Sequence, residues 1–350
     1  MMKMKKALTV FSSLLLTASL AACGGSQDTS KKSNSNSSNE EVMNIKLGHV
    51  TNDQSAIHKG SIKFKELVEE KSDGKMIVEV IPGGQLGSEK DLIESTQIGT
   101  IQITIPSAAV LSNFVPKASV LTLPYVIEGK NEREKYKTFV ELAKTDAYKE
   151  IGTQAETVNL VAFPEAVWWV GDRHLTTGEN PVKKPDDMKG LKVRTPDAKA
   201  HTEPFKIMNA NVTPMNIAEV YMSLKTGTIE AQENSINQIY TNKFYEVQKY
   251  VNLTGHMTQN ELPVVSKQWF DSLNDKQKKI ITDAMNESGE YMSELQLTAN
   301  EEELEILKEN GMEVVEVDIE AFKKATADTY KSFEDQVGKG YYEKIIAAQK

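Results

Sequence analysis

The chain has 350 residues, 39% of them apolar and 26% charged, the make-up of an ordinary globular protein with room for two cores or one large one. Its 50 acidic residues outnumber its 41 lysines and arginines, for a net charge of -9. That balance argues against a nucleic-acid partner, which needs a basic face to meet phosphates.

The N-terminus reads as an export signal. Lys3, Lys5 and Lys6 precede an apolar run, Ala7 to Ser19, too short to span a bilayer. Leu20-Ala21-Ala22-Cys23 then supplies small residues before the only cysteine in the chain. One thiol builds neither a disulfide nor a thiolate metal cluster, so its position after Ala22 becomes informative. The run resembles a bacterial lipoprotein signal, which implies a signal peptide over 1–22 and a diacylglycerol on Cys23; an ordinary signal followed by a chance cysteine is the alternative. Residues 23–42 are rich in Ser, Asn and Lys and read as a flexible tether. The expected product is an extracytoplasmic globule, lipid-anchored to the cell membrane.

From residue 44 the pattern is βαβαβ. Asn44 to Val50 reads as a strand; Ile57, Ser61, Phe64, Leu67 and Val68 fall at helical spacing; Met76 to Ile81 alternates as a strand does. After Pro82-Gly83-Gly84, Ser88 with Asp91 forms an acidic variant of the capping box, Gly99 closes the helix, and Thr100 to Ile105 is a third strand. Parallel strands with helical crossovers make this an α/β protein. A charged helix over about residues 132–152 follows, then an apolar strand from Asn159 to Val170 interrupted by Gly171-Asp172-Arg173, a candidate first crossing into a second domain.

The same grammar recurs later. Asn216 with Glu219 opens a helix, Gly227 closes it, and Thr228 to Gln232 is the strand. The junctions GTIQ, from Gly99, and GTIE, from Gly227, are near copies: two similar α/β domains or merely shared turn chemistry. A helix over 240–250 and a return segment, Leu253 to Val265, come next. Asn274 with Gln277 starts a periodic run that ends at Asn310-Gly311; unbroken, about 36 residues would span roughly 54 Å, a strut across both domains. A break at Gly289 into two stacked helices is the other option. Val314 to Val317 reads as a last strand and Tyr330 to Ala348 as a closing helix.

No metal, nucleophile or cofactor motif stands out. The five histidines lack ligand spacing, and no G-x-S-x-G, phosphate loop or dinucleotide fingerprint is present. Gly83-Gly84 offers backbone donors to an anion, but a tight turn explains it as well. Arg173 and Arg194 each follow a strand-like run and precede a turn, suiting two neighbouring strand ends; plain surface arginines at strand ends are the other reading. An arginine so placed grips a carboxylate well, because its planar fork donates parallel hydrogen bonds and keeps its charge.

The runs DMKGLKVRTP (Asp187 to Pro196), EVYMSLKTG (Glu219 to Gly227), EAQEN (Glu230 to Asn234) and FYEVQKY (Phe244 to Tyr250) are similar to the solute-binding proteins of tripartite ATP-independent periplasmic (TRAP) transporters, of the DctP type. GGQLGSEKDLIESTQIG (Gly83 to Gly99), LTLPY (Leu121 to Tyr125) and WVGDRHLTT (Trp169 to Thr177) agree, in order, over about residues 44–340. The resemblance implies a two-lobed, periplasmic-binding-protein-like (Venus flytrap) α/β fold with a long helix across both lobes. Lobe I would comprise 43–170 plus about 260–299, and lobe II 171–259 plus about 300–350.

By the same resemblance Arg194 pairs with a ligand carboxylate, assisted by Arg173 and Asn234, while first-lobe groups such as Gln85, His58, Tyr125 and Trp168 cover the remainder on closure. The implied function is capture of a small organic acid for a sodium-driven TRAP permease, with a monomeric binder, no cofactor and no chemistry. Departures bear on the ligand. Glu230-Ala231 replaces the more usual Asp-Gly, and Ile217 stands where sialic-acid binders carry an aromatic. Asp197 is acidic where an anion binder would favour an amide, so it either points away or accepts from ligand hydroxyls, which favours a sugar acid over a C4-dicarboxylate. The rival readings are an ABC-type binding protein or chemoreceptor ligand module, and an exported enzyme on acidic sugars using Glu165 or Glu230.

Overall fold

The structure is a computed structural model that describes residues 42–350. The expected export signal, Cys23 and nearly all of the tether lie outside the described residues. The first strands and helices are β1 (Met43–Gly48), α1 (Ala56–Lys71), β2 (Met76–Ile81), α2 (Glu89–Gln97) and β3 (Ile103–Thr104). β1 pairs in parallel with both β2 and β3, as the βαβαβ pattern requires. Both expected caps form: Ser88 and Asp91 make a reciprocal capping box, and Gly99 takes φ 79° just past the helix end. β3 is shorter than expected, because the N–H groups of Thr100 and Ile101 donate to the carbonyl of Ser95 instead of entering the sheet.

α3 (Ala108–Leu111), α4 (Glu132–Ala143) and α5 (Asp146–Glu156) follow. The single helix expected over 132–152 is two, since Thr145 caps a fresh start by accepting from Tyr148 N. The apolar run from Asn159 also divides, around Pro164, into β4 (Leu160–Ala162) and β5 (Trp168–Thr177), which belong to different sheets. Gly171-Asp172-Arg173 does not interrupt β5. A bulge between Trp169 and Gly171 absorbs the extra residue, and Arg173 lies mid-strand.

The second half runs β6 (Lys192–Thr195), α6 (Lys199–Ile207), β7 (Asn211–Pro214), α7 (Ile217–Lys225), β8 (Ala231–Asn234), α8 (Ile236–Thr241) and β9 (Tyr250–Glu261). Asn216 does not cap the backbone of α7; its amide instead reaches Glu219 Oε1 at 3.4 Å. The helix expected over 240–250 lies earlier, as α8, followed by a short 3-10 turn at Phe244–Glu246. Gly227 at φ 71° repeats the helix-ending role of Gly99, so the GTIQ and GTIE junctions share turn chemistry.

The chain closes with β10 (Val264–Ser266), α9 (Lys267–Ser272), α10 (Asp275–Glu309), β11 (Glu313–Val315), α11 (Ile319–Thr326), α12 (Glu334–Val337) and α13 (Tyr341–Ala347). The closing helix expected from Tyr330 is broken, because Gly338 and Gly340 adopt φ 94° and 81°. α10 is continuous over 35 residues. Gly289 does not break it: a Cβ there would sit 2.7 Å from the Trp168 indole, so the glycine permits close packing.

The strands form two sheets, ordered β2-β1-β3-β10-β4 and β11-β9-β5-β8-β6-β7. Three passages link them, β4 to β5, β9 to β10 through Pro263, and β10 to β11 through α9 and α10. α10 runs from a core shared with α1 and the first sheet, where Ile281, Met285 and Met292 are buried, to a second core where Leu307 meets Val251 and Ile236. Each such side chain contributes about 1.5–3 kcal/mol when fully buried, so the helix anchors in both cores. Residues 300–350 are expected in lobe II; within them Phe333, Val337, Tyr341 and Ile345 pack with Phe139, Tyr148 and Ile151.

Candidate functional site

A cavity of ≈ 500 Å³ opens between the two sheets. The turn after β2 and the first turn of α2 form one wall, through Gly83, Gly84 and Glu89; the strand ends and helix starts of the second sheet form the other. Arg173, Arg194, Asn234, Asp197 and Ile217, all singled out in the sequence, line it. The two arginines do not come from neighbouring strands. β8 runs between β5 and β6, and its Glu233 and Asn234 become partners of Arg173.

Every N–H of Arg173 is occupied. Nε donates to Glu233 Oε2 at 2.5 Å, and Nη2 to Glu233 Oε1 at 2.9 Å and to its carbonyl at 2.6 Å. Nη1 donates to Asn234 Oδ1 at 2.9 Å and to Gln259 Oε1. Glu233 is fully buried, with His201 Nδ1 and His256 Nε2 each 3.2 Å from its carboxylate. Burial by itself would raise the Glu233 carboxyl, but Arg173, with His201 and His256, holds it well below the usual carboxylate range. This is a closed ion pair that fixes β5 to β8.

Arg194 is different. Nε and Nη2 both donate to the carbonyl of Met215, at 2.9 and 2.5 Å, which fixes the plane of the guanidinium. Nη1 is buried without any hydrogen-bond partner. Burial, the largest influence, lowers the group to about 10, so it stays a cation at neutral pH. A buried charged donor left unpaired costs several kcal/mol in a finished core, and its place on a cavity wall leaves it free to take an acceptor. Asn234 Oδ1 is taken by Arg173 and by Ser235 N, which turns the amide NH₂ to the cavity side.

His201, fully buried, also lines the cavity, and its approach to Glu233 lacks hydrogen-bond alignment, so both ring nitrogens are without a hydrogen bond. Burial lowers it to about 4, leaving it neutral. On the facing wall Glu89 accepts from Ser107 N; at the end of β9 Glu261 Oε1 accepts from Gln259 Nε2 at 2.6 Å. Both carboxyls are pushed up, by burial first, and Glu261 next by Glu89 itself. Asp197 is an exposed rim residue whose carbonyl accepts from Asn113 Nδ2 at 2.8 Å, a link to the other wall.

Four expected contacts lie outside the lining. Trp168 is fully buried in the core against α10, its Nε1 donating to the Met285 carbonyl at 3.2 Å. Tyr125 donates its hydroxyl to the Thr254 carbonyl at 2.9 Å. Gln85 is exposed on its turn, and His58 pairs with His49 Nε2 at 3.1 Å behind the wall formed by Thr51 and Ile57. Sequence reasoning missed Glu233, His201, Gln259, Glu89 and Glu261. Glu233 carried a signal, a charged residue inside a strand buried at every position, which demands a partner. Nothing local marks the other four. Among the described residues no group of His, Cys, Asp and Glu is placed to hold a metal ion. None of their helices is long and apolar enough to cross a membrane.

Residues 47–336 match the family model of DctP, bacterial extracellular solute-binding protein family 7. A solute-binding protein of Roseobacter denitrificans is 33% identical over 288 residues, covering 82% of this chain and 86% of its own. The solved structure of that protein, with L-galactonate bound, superposes with a TM-score of 0.80 at 30% identity, covering 89% of this chain and 99% of that one. The sugar acid binding protein DctPAm of Advenella mimigardefordensis, solved with galactonate, gives 0.82 at 30% identity, covering 88% and 98%. The C4-dicarboxylate-binding protein DctB of Bacillus subtilis is 27% identical over 317 residues, covering 89% of this chain and 88% of that one.

Proposed function

We propose, from the premise that this chain belongs to the DctP family of bacterial extracellular solute-binding proteins, that it captures a small organic acid by its carboxylate, a sugar acid in preference to a C4-dicarboxylate. The observation that carries this reading is Arg194 Nη1, a buried cationic donor with no partner on the wall of a cavity of ≈ 500 Å³. The carboxylate takes that donor and the amide of Asn234, while Arg173 holds the asparagine in place and is itself saturated. Ile217 and Asp197 contact the remainder of the ligand from the rim.

The binder works as a TRAP-type solute-binding protein: it holds its ligand without chemistry and hands it to a secondary permease as a monomer. The wall carrying Glu89 and the wall carrying Arg194 close on the ligand, and the closed form docks on the membrane partner. Diacylglycerol on Cys23 keeps the protein beside that partner. An ABC-type or chemoreceptor role uses the same clamp, but the family belongs to TRAP systems. An enzyme using Glu165 or Glu230 finds no support in the site, since neither residue lines the cavity.

Calorimetric titration with D-galactonate tests the reading. Arg194→Ala should lose at least about a hundredfold in affinity while remaining folded, since removing one partner of a buried charge pair costs roughly 3–5 kcal/mol. Near wild-type binding by the variant would sink the assignment. Small-angle scattering should show compaction on adding a ligand that binds, and Cys23→Ala should release the protein from the membrane fraction.

A further inference from the structure

The cavity is acid-rich for an anion site. Beyond the guanidiniums and neutral His201, the one cation in the lining is Lys90, which is exposed, whereas Glu89, Asp91, Asp197, Glu219 and Glu261 all contribute. Glu89 and Glu261 differ from the rest because both meet at Ser107, and each takes a protein N–H on one oxygen. Ser107 sets this up: its N–H donates to Glu89, while its backbone bridges that of Glu261. Gln259 fixes the second carboxyl, since its Oε1 is turned to Arg173 and its amide must donate to Glu261 Oε1. One oxygen of each carboxyl is left over for the cavity.

We propose that Glu89 and Glu261 act as a one-proton carboxyl pair that selects ligands with a single anionic end and hydroxyl groups beyond it, and turns dicarboxylates away. Two carboxyls that share a site do not both ionise, so the pair keeps one negative charge and one O–H. It then accepts from one ligand hydroxyl and donates to another. A second ligand carboxylate meets this charge with no buried cation free, because Arg173 is closed by Glu233 and Arg194 holds the first carboxylate. The raised position of both groups agrees with this state. The inference rests on the carboxylate reading above and deepens it.

The test is calorimetry with two matched pairs, D-galactonate against galactarate and L-lactate against L-malate, whose members differ by the second carboxylate. The wild-type protein should bind a monocarboxylate about a hundredfold more tightly than its dicarboxylate partner, since a like-charge contact costs several kcal/mol. Glu261→Gln, which keeps the acceptor for Gln259, should narrow that ratio by about tenfold or more, and Glu89→Gln should do so independently. Equal wild-type affinity within both pairs, or an unchanged ratio in either folded variant, overturns the pair's role and leaves the carboxylate reading intact. Failure of the wild-type protein to bind any of the four acids overturns both.

Discussion

β5 and β6 each present one buried arginine to the same cavity, and the two have opposite fates. Arg173 is enclosed by five hydrogen bonds to Glu233, Asn234 and Gln259, whereas Arg194 reaches only one carbonyl and keeps Nη1 unpaired. Both are almost fully buried, 2% and 3% exposed. Burial therefore does not separate a saturated cation from one with a free donor; the census of partners does. Arg173 shapes the site by fixing β8, and Arg194 is the group with something left to offer.

The largest effect that would break this contrast lies in stability. Arg173→Ala leaves Glu233 as an uncompensated buried charge and should cost about 3–5 kcal/mol in denaturant unfolding. Arg194→Ala removes a cation that burial already disfavours and should change stability by about 1 kcal/mol or less. Equal losses in the two variants would erase the distinction.

A second measurement sharpens it through pH. His201 sits beside Glu233 with its folded value lowered to about 4 from an ordinary 6.5. The unfolded chain thus binds a proton that the folded one does not, and stability should fall as pH drops from about 6.5 toward 4, by up to ~1.4 kcal/mol per pH unit for one such group. His174, lowered to about 4 by burial, adds in the same sense. Glu233, held low, contributes stability above the ordinary carboxylate value that is lost only at more acid pH. His201→Gln should flatten the slope between pH 6.5 and 4; an unchanged slope would remove His201 from this account.

The smaller effects concern residues outside the cavity. Trp168→Phe gives up the hydrogen bond to the Met285 carbonyl and should cost about 1 kcal/mol of stability. Its D-galactonate affinity should stay within about twofold of wild type, as residues distant from the contact add little. Gln85→Ala, on an exposed turn, should move stability by no more than about 0.5 kcal/mol. A marked affinity loss in either would return these side chains to the site.

Much of the fold was legible because it rests on short-range rules. The Ser88 and Asp91 box, the glycine ends at 99 and 227, and the period of α1 and α10 are dictated by neighbours within one turn. Some errors fall where a cap or a glycine divides a helix, as at Thr145 and Gly338, and others where sheet pairing decides. The run from Asn159 reads as one strand, yet tertiary pairing sends β4 and β5 to different sheets, and the Gly171 bulge looks in sequence like a stop. Arg173, Arg194 and Asn234 were recognisable from the runs that carry them, and all three line the cavity. Trp168 was recognisable only as a large aromatic, and no local pattern says which side of β5 it faces.

The sequence alone determined residue types and part of the local geometry: where α1, α2 and α10 lie, how α2 and α10 cap, and that two cations stand on strands joined by proline- and glycine-punctuated links. Tertiary structure decided which partners those cations meet. Glu233 is 60 positions from Arg173, and Gln259 is 86 away. Glu89 and Glu261, too, both reach Ser107, because strand register and the passage from β9 to β10 bring them there. A hydrogen bond acts over about 3 Å, so which donor stays free is settled only once the whole chain has packed.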